Sequence, residues 1–351
     1  MKKNRTIDHK CPACAAPLFF NPKLGKWQCQ YCDSIFTLED LEKHKPKVEL
    51  NSNDVHYDSY SCKNCGAEII ADENTASTFC LYCGNTAILK NKLSGEFKPN
   101  KLIPFKVVKE DAVAAFKNLK KGRPLLPKDF VSEQNIEKIT GLYVPFWLFD
   151  LSFDGTVEAS AKRIKSWSVG DTHYTKTDTY RLERELSMNY HLIPVDGSKK
   201  FSDDIMNTIE PFDYNDLIDF NHSYLSGFLA EKYDLTSDEA AKDAKERALN
   251  STLNEAQKTM TGYSNVNIQS YNLDATDTNV TYALLPVWMV NVKYKDKYYL
   301  FAMNGQTGEF IGDMPIDKGK TVLMTIIVFI ISLMLSILAT YIFYKMSGGA
   351  I

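Results

Sequence analysis

No cysteine occurs beyond Cys83, although eight of them crowd into the first quarter of the 351-residue chain. A disulfide framework spread over the whole molecule is thereby excluded, and the thiols must serve a local purpose. Positive charge is not in excess either. With 41 Lys and Arg against 44 Asp and Glu the formal charge is −3, which argues against a surface built to coat nucleic acid. Catalytic signatures are equally scarce. There is no H-E-x-x-H, and His9, His44, His56, His173, His191 and His222 form no close ligand pair. Gly319-Lys320-Thr321 has the form of a P-loop ending, but Met314 stands where the first glycine belongs. With no cysteine left over as a nucleophile, the chain is expected not to be an enzyme. Met1 to Lys10 carries no apolar stretch, so no secretory leader is expected.

What is present at the other end is one long apolar run. Val322 to Phe343 contains no charge and is flanked by Lys318 and Lys320 on one side and Lys345 on the other. At about 1.5 Å per residue such a helix reaches roughly 33 Å, enough to cross a hydrocarbon core of about 30 Å. A single-pass helix in the cell membrane is expected over 318–346 with its flanks, followed by a short tail at 347–351. The heavier basic flank precedes the helix, and thiols arranged as metal ligands need a reducing compartment, so the N-terminal domains are placed in the cytoplasm. Ser332, Ser336 and Thr340 recur every four residues along one stripe. Such a stripe permits close helix approach, hence homo-oligomerisation or a membrane partner; the alternative is hydroxyls bonded back to the helix's own carbonyls.

The cysteines fall into two quartets. Cys11, Cys14, Cys29 and Cys32 make the first; Cys62, Cys65, Cys80 and Cys83 repeat it 51 positions later. Each pair has the C-x-x-C spacing that lets two thiolates face one ion, and two such turns on facing hairpins close a tetrahedron around it. Disulfides, redox-active pairs and ligation shared between the quartets compete with this reading. Two separate four-cysteine sites, each holding Zn2+ (two per chain), fit best; iron is the alternative metal. Pieces this small cannot bury enough surface to fold alone, and zinc binding of about 10–16 kcal/mol would supply the difference. A closed shell of four thiolates leaves no position for a catalytic water, so these sites are structural.

Around them the chain divides into a first zinc ribbon at 1–43, a polar linker at 44–60, a second ribbon at 61–95 and an α+β cytoplasmic domain with an antiparallel sheet at 96–317. Within that domain, Glu110 to Lys121 has helical spacing of Val113, Phe116 and Leu119. Thr236-Ser237-Asp238-Glu239 is a capping box opening a long, mostly solvated helix to about Met260. Leu142 to Ala161, Tyr180 to Val195, Asn279 to Val292, Tyr298 to Met303 and Gly308 to Ile311 read as strands, with a tight turn at Gly305-Gln306-Thr307-Gly308. A Pro motif recurs around Pro104, Pro145, Pro194 and Pro286, twice running on into Trp147 and Trp288. It reads as repeated strand starts, or as an aromatic groove of Phe146, Trp147, Phe149 and Trp288 for a lipid or peptide.

Cys62-Lys63-Asn64-Cys65-Gly66 and Tyr82-Cys83-Gly84-Asn85 resemble the knuckles of TFIIB-type zinc ribbons, whereas the first quartet has Ala15 and Asp33 at the glycine places. Together with Val144-Pro145-Phe146-Trp147, Leu285-Pro286-Val287-Trp288, Asn304-Gly305-Gln306-Thr307-Gly308 and the final helix, the whole chain resembles tandem zinc-ribbon membrane proteins of Gram-positive bacteria. The resemblance implies a tether or scaffold linked to phage-shock-type envelope stress. Some relatives carry a primosomal-helicase-like label, for which this chain offers no NTPase core. The expected function is an adaptor whose ribbons dock cytoplasmic or membrane proteins at the membrane. The alternative is a membrane-tethered nucleic-acid-binding protein using the ribbons. Only the first ribbon leans positive, with Lys10, Lys23 and Lys26 beside Trp27.

Overall fold

Segments dense in Val, Thr, Tyr and Phe favour extended backbone, and here they pair over lengths that few strands reach. The computed structural model describes residues 11–14, 16, 18–43, 58–62, 68–71, 88–92, 99–119, 121–127, 130, 139–199, 201, 203–231, 233–294, 297–312 and 314–346. At the N-terminus, β1 (Leu18–Asn21), β2 (Lys26–Cys29) and β3 (Ile35–Phe36) form a small antiparallel sheet, followed by α1 (Leu38–Lys43). Gly25, at φ 59°, takes the left-handed corner that closes the β1–β2 turn.

Next come β4 (Asp58–Cys62), β5 (Glu68–Ala71) and β6 (Ile88–Lys92). β4 begins inside the stretch whose composition reads as linker, because Asp58, Ser59 and Tyr60 pair with both neighbours. β7 (Lys101–Leu102) then leads to α2 (Lys109–Asn118), close to the helix expected from periodicity. β8 (Thr140–Val169) and β9 (Thr172–Asp196) form one long hairpin turning at Gly170. After them come α3 (Asp203–Ile209), β10 (Ile218–Asp219), β11 (Leu229–Ala230) and α4 (Ser237–Thr259). β12 (Asn265–Tyr294), β13 (Lys297–Asn304), β14 (Phe310–Gly312) and α5 (Lys318–Met346) complete the chain.

One sheet collects most of these strands in the order β10-β7-β12-β8-β11-β5-β4-β6, with β9 on β8 and β13 and β14 beyond β12. Antiparallel pairs carry nearly all of it; β7 on β12 and β11 on β8 are parallel. Around residues 141–149 and 282–292 both sheet faces are buried. Ile103, Val144, Phe146 and Val287 point to the face covered by α3. Phe105, Tyr143, Trp288 and Phe301 point to the other, under α2 and the N-terminal sheet. Burial on both faces gives an unbroken apolar run there instead of alternation.

Beyond this block β9, β8 and β12 continue as a three-stranded arm. α4 covers one face of it through Ala240, Ala244, Ala248, Thr252 and Ala256, which recur every four residues and let the helix come close. The reciprocal capping box forms as the sequence predicts: Thr236 Oγ1 accepts from the Glu239 amide, and the Glu239 carboxylate accepts from the Thr236 amide at 2.9 Å. Past Ala161 every residue of β8 is exposed, so the last quarter of the hairpin is held without a core, by backbone pairing and cross-strand contacts such as Trp167 stacked on Tyr174.

The aromatic-groove reading of the Pro motif does not hold. Pro145 and Pro286 lie well inside β8 and β12, near one another across the pair, and are not strand starts. Phe146 and Phe149 are fully buried. The two indoles are tied into the core, Trp147 Nε1 donating to Leu235 O (2.8 Å) and Trp288 Nε1 to Val107 O (3.0 Å). A buried indole needs such a partner, and these two have theirs inside the protein.

The Asn304–Gly308 motif makes a turn and more than a turn. Asn304 is fully buried and saturated: its Nδ2 donates to Ile209 O and Pro211 O, while its Oδ1 accepts from the amides of Gln306 and Thr307. Gln306 bonds both backbone groups of Asp213, at 2.7 and 3.0 Å, and reaches the Asp216 carboxylate. Gly305 lies where a Cβ would come within 2.7 Å of the Phe105 ring. The motif therefore staples residues 209–216 to the β13–β14 turn.

The C-terminal helix is one continuous apolar element. Lys318–Lys345 contains an 18-residue stretch of mean hydropathy 2.9, none of it buried against the rest of the chain, so the helix is long and apolar enough to cross a membrane. Asp317 caps it, accepting from the amides of Gly319 (3.0 Å) and Lys320 (3.2 Å). The Asp317 amide and Lys320 Nζ hold it to the carbonyls of Leu125 and Leu126. In the Ser/Thr stripe Thr340 bonds back to Ser336 O and Ile337 O, as Thr325 does to Thr321 O.

Candidate metal centre

The first quartet assembles. The sulfurs of Cys11, Cys14, Cys29 and Cys32 all lie within 4.8 Å of one another, with Cys11–Cys32 at 3.6 Å and Cys14–Cys29 at 3.5 Å. Zn–S bonds of about 2.3 Å in a tetrahedron set sulfurs roughly 3.8 Å apart, so the cage has the size and donor set of a closed four-thiolate metal site. Two turns build it. Cys11 N donates to Ala16 O at 2.7 Å across the first, and Asp33 N to Cys29 O at 2.9 Å across the second. Asp33 occupies the left-handed region at φ 56° that a glycine would take in a regular knuckle. Aspartate is among the few side chains that enter this region routinely, so the missing glycine costs strain but not the turn.

The thiols are not equivalent. Cys11 and Cys29 are buried, Cys14 and Cys32 exposed. For Cys14 the Ala16 backbone favours the thiolate, but desolvation and the crowding sulfurs of Cys32, Cys29 and Cys11 outweigh it and push the group up to about 12. The Ser34 hydroxyl, 3.3 Å from Cys32 Sγ, together with the Ser34 backbone holds Cys32 down to about 6. Four sulfurs this close cannot all ionise without a cation among them, the electrostatic condition a divalent metal relieves.

The centre is welded to the body. Cys29 and Trp27 share one face of β2, two residues apart, and both are buried. Trp27 Nε1 donates to Ser223 O at 2.8 Å, and its ring meets Tyr224 and Phe20 at 4.9 and 5.1 Å between centroids. The Phe20 amide donates to Ser226 O, and Lys23 pairs with Asp111 at 3.2 Å. A cleft of about 340 Å³ remains between this sheet and the body, walled by Phe19, Gln28, Val108, Ile139 and Trp288. The inner surface of the first ribbon is thus spent on the chain's own 222–228 segment. Sequence reading placed Trp27 beside lysines as a candidate stacking surface; the reciprocal signal was the aromatic and turn chemistry of Tyr224, Gly227 and Phe228, two hundred residues away.

Of the second quartet, Cys62 ends β4, while Cys65, Cys80 and Cys83 lie outside the described residues. The strand pairs β4–β5 and β4–β6 are present, and Ile70 of β5 pairs with Ala230 of β11. The same short stretch, Ser223 to Ala230, therefore receives the ring cluster of the N-terminal sheet and the pairing of β5.

The architecture defines a class: an α+β protein with a small N-terminal sheet carrying a four-cysteine cluster and one apolar C-terminal helix. Within that class the chain belongs to the family of the uncharacterized protein YdjG of Bacillus subtilis (strain 168), with which it is 38% identical over 314 residues, 90% of this chain and 92% of that one. No family model and no solved structure matches it.

Proposed function

We propose that the chain is a non-enzymatic scaffold, anchored in the cell membrane by α5 with its N-terminal domains in the cytoplasm, that presents zinc-stabilised ribbons to a protein partner. The supporting observation is the sulfur cage itself: four cysteines converge at metal-binding distance with no donor position left over, on a sheet packed into a body that ends in an apolar helix. A closed shell is a strut, not a reaction centre. The resemblance to TFIIB-type tandem ribbons supports Zn2+ in both quartets, two per chain, and the envelope-stress setting.

The outward surface of the first ribbon is what remains for a partner. Tyr31, in the turn after β2, is 84% exposed, and Leu24 of the β1–β2 turn and Ile35 of β3 are each close to half exposed. Protein docking fits this surface better than nucleic acid does. Trp27 has no free ring face on which a base could stack, and Lys23 is neutralised by Asp111.

Deleting the ribbon would strip the body's own core, so the test uses surface changes. The full chain carrying Tyr31→Asp and Ile35→Asp is compared with the unchanged chain in pull-downs from membranes, with metal content measured on both. Loss of the captured partner at unchanged metal content is the expected outcome. Retention of every partner overturns docking through this ribbon, and salt-sensitive retention of DNA or RNA by the unchanged chain would replace it with the nucleic-acid reading.

A further inference from the structure

The three-stranded arm has two long outer edges, and they are built differently. β9, the outer strand on one side, carries Lys176, Asp178, Arg181, Glu183, Arg184 and Glu185, the kind of charge that keeps an edge from accepting another strand. β12 from Asn265 to Tyr282 carries no Lys, Arg or Pro, and its only charges are Asp274 and Asp277. Among the described residues no strand pairs with the outer side of that segment; β7 joins β12 only at Ala283 and Leu284, and β13 only from Val287. Gln257 Nε2 covers one edge carbonyl, Val266 O. Register shifts at Ile268/Ser270 and Asp277/Asn279 bound a regular run between them, Ser270 to Asp277.

From this edge we infer that Ser270–Asp277 of β12 is a pairing surface for a second copy of this chain, joining two arms into one continuous antiparallel sheet. The run is self-complementary. A two-fold axis perpendicular to the sheet at Leu273 sets Asn272 opposite Asp274, Tyr271 opposite Ala275 and Ser270 opposite Thr276. No carboxylate meets another, and each amide side chain meets an acceptor. Tyr271, 50% exposed in the single chain, gains an apolar neighbour across the pair. α4 packs on Phe149, Leu151 and Phe153 of β8, on Val195 of β9 and on Val266, Ile268 and Leu273 of β12, yet Ser270 to Asn272 and Asp274 to Thr276 stay exposed. A helix that holds every copy in one membrane plane raises the effective concentration for pairing. The symmetry sends the two α5 helices to opposite ends of the joined sheet, so in one bilayer the paired arms lie along its surface.

The test is the mass of the full chain in detergent, by native mass spectrometry and light scattering. Two chains per particle are expected for the unchanged protein and for Asn272→Lys, whose new cation faces the partner's Asp274. One chain is expected for the double variant Asn272→Lys/Asp274→Lys, in which lysines oppose lysines. Ser187→Lys, an equally exposed change on β9, should leave the dimer intact. Should the double variant fail to fold by circular dichroism, hydrogen exchange on the unchanged chain decides: amides of 270–277 become more protected as concentration rises. A single-chain mass for the unchanged protein, a dimer that survives the double substitution, or concentration-independent exchange at 270–277 each overturns the inference.

Discussion

Asn304 shows how much one side chain can hold. It satisfies two carbonyls of the 209–211 segment and two amides of its own turn while wholly excluded from water. Asn304→Ala would leave those groups buried without partners, at about 1–3 kcal/mol for each that water cannot reach. A loss of roughly 3 kcal/mol or more is expected in urea unfolding of the full chain, with metal content unchanged. A loss under about 1 kcal/mol would mean that water enters the turn freely. The turn at 304–308 is legible in the sequence from its glycines. That the asparagine and glutamine in it reach across to residues 209–216 depends on a contact between segments some ninety positions apart, which no local pattern encodes.

Among the elements, α4 and the ribbon sheet make opposite cases. α4 is legible throughout: a capping box at its start, helix-forming residues along it, and a buried alanine stripe spaced by four. Its cap titrates in a defined direction. Lys199, 2.9 Å away, and the Thr236 amide stabilise the ionised Glu239, which is held down to about 2 against an ordinary Glu value near 4.3. The folded-state value is depressed, so the stabilisation is present above the unfolded value and is lost as pH falls toward the folded one. Glu239→Gln should therefore lower the melting temperature at pH 7. The gap between variant and unchanged chain should narrow from about pH 4.5 downward. A gap that is constant with pH would mean the charge plays no part. The ribbon's knuckles are as readable as the helix cap, but its docking is not, because Trp27 finds Ser223 and Tyr224 only in the folded chain.

For the whole molecule, that docking couples the cysteine cluster to the body. With Cys29 and Trp27 on one strand face, removing a metal ion held by the proposed site should release β1 and β2 from the 222–228 segment. A strong chelator added to the full chain is expected to raise amide exchange over residues 218–230, together with 18–36. The central strand segments 142–149 and 283–292 should be unaffected. Exchange confined to the ribbon alone would make it an independent module. The molecule is also polarised along its sheet. β14 runs against β13 toward the Tyr294–Lys297 end, from which the chain enters α5, while the β8–β9 turn lies at the far end of the same strands. At about 3.3 Å per residue, the length of β12 alone separates these ends by close to 100 Å of strand.

The sequence alone determined whatever depends on spacing and composition: the two cysteine quartets, the apolar helix, the α4 cap and the strand segments whose residues are buried. Only the tertiary structure decided the extent of β8, β9 and β12. Residues 162–179 and 265–278 are mostly exposed and polar, so they carry little hydrophobic period and become strands because a neighbour's backbone is already extended beside them. The same holds for the place of the quartet's sheet. The ligand spacing specifies a cage that any body could carry, but the surface that Trp27 and Phe20 fill is made by residues 222–228, and only the folded chain brings the two together.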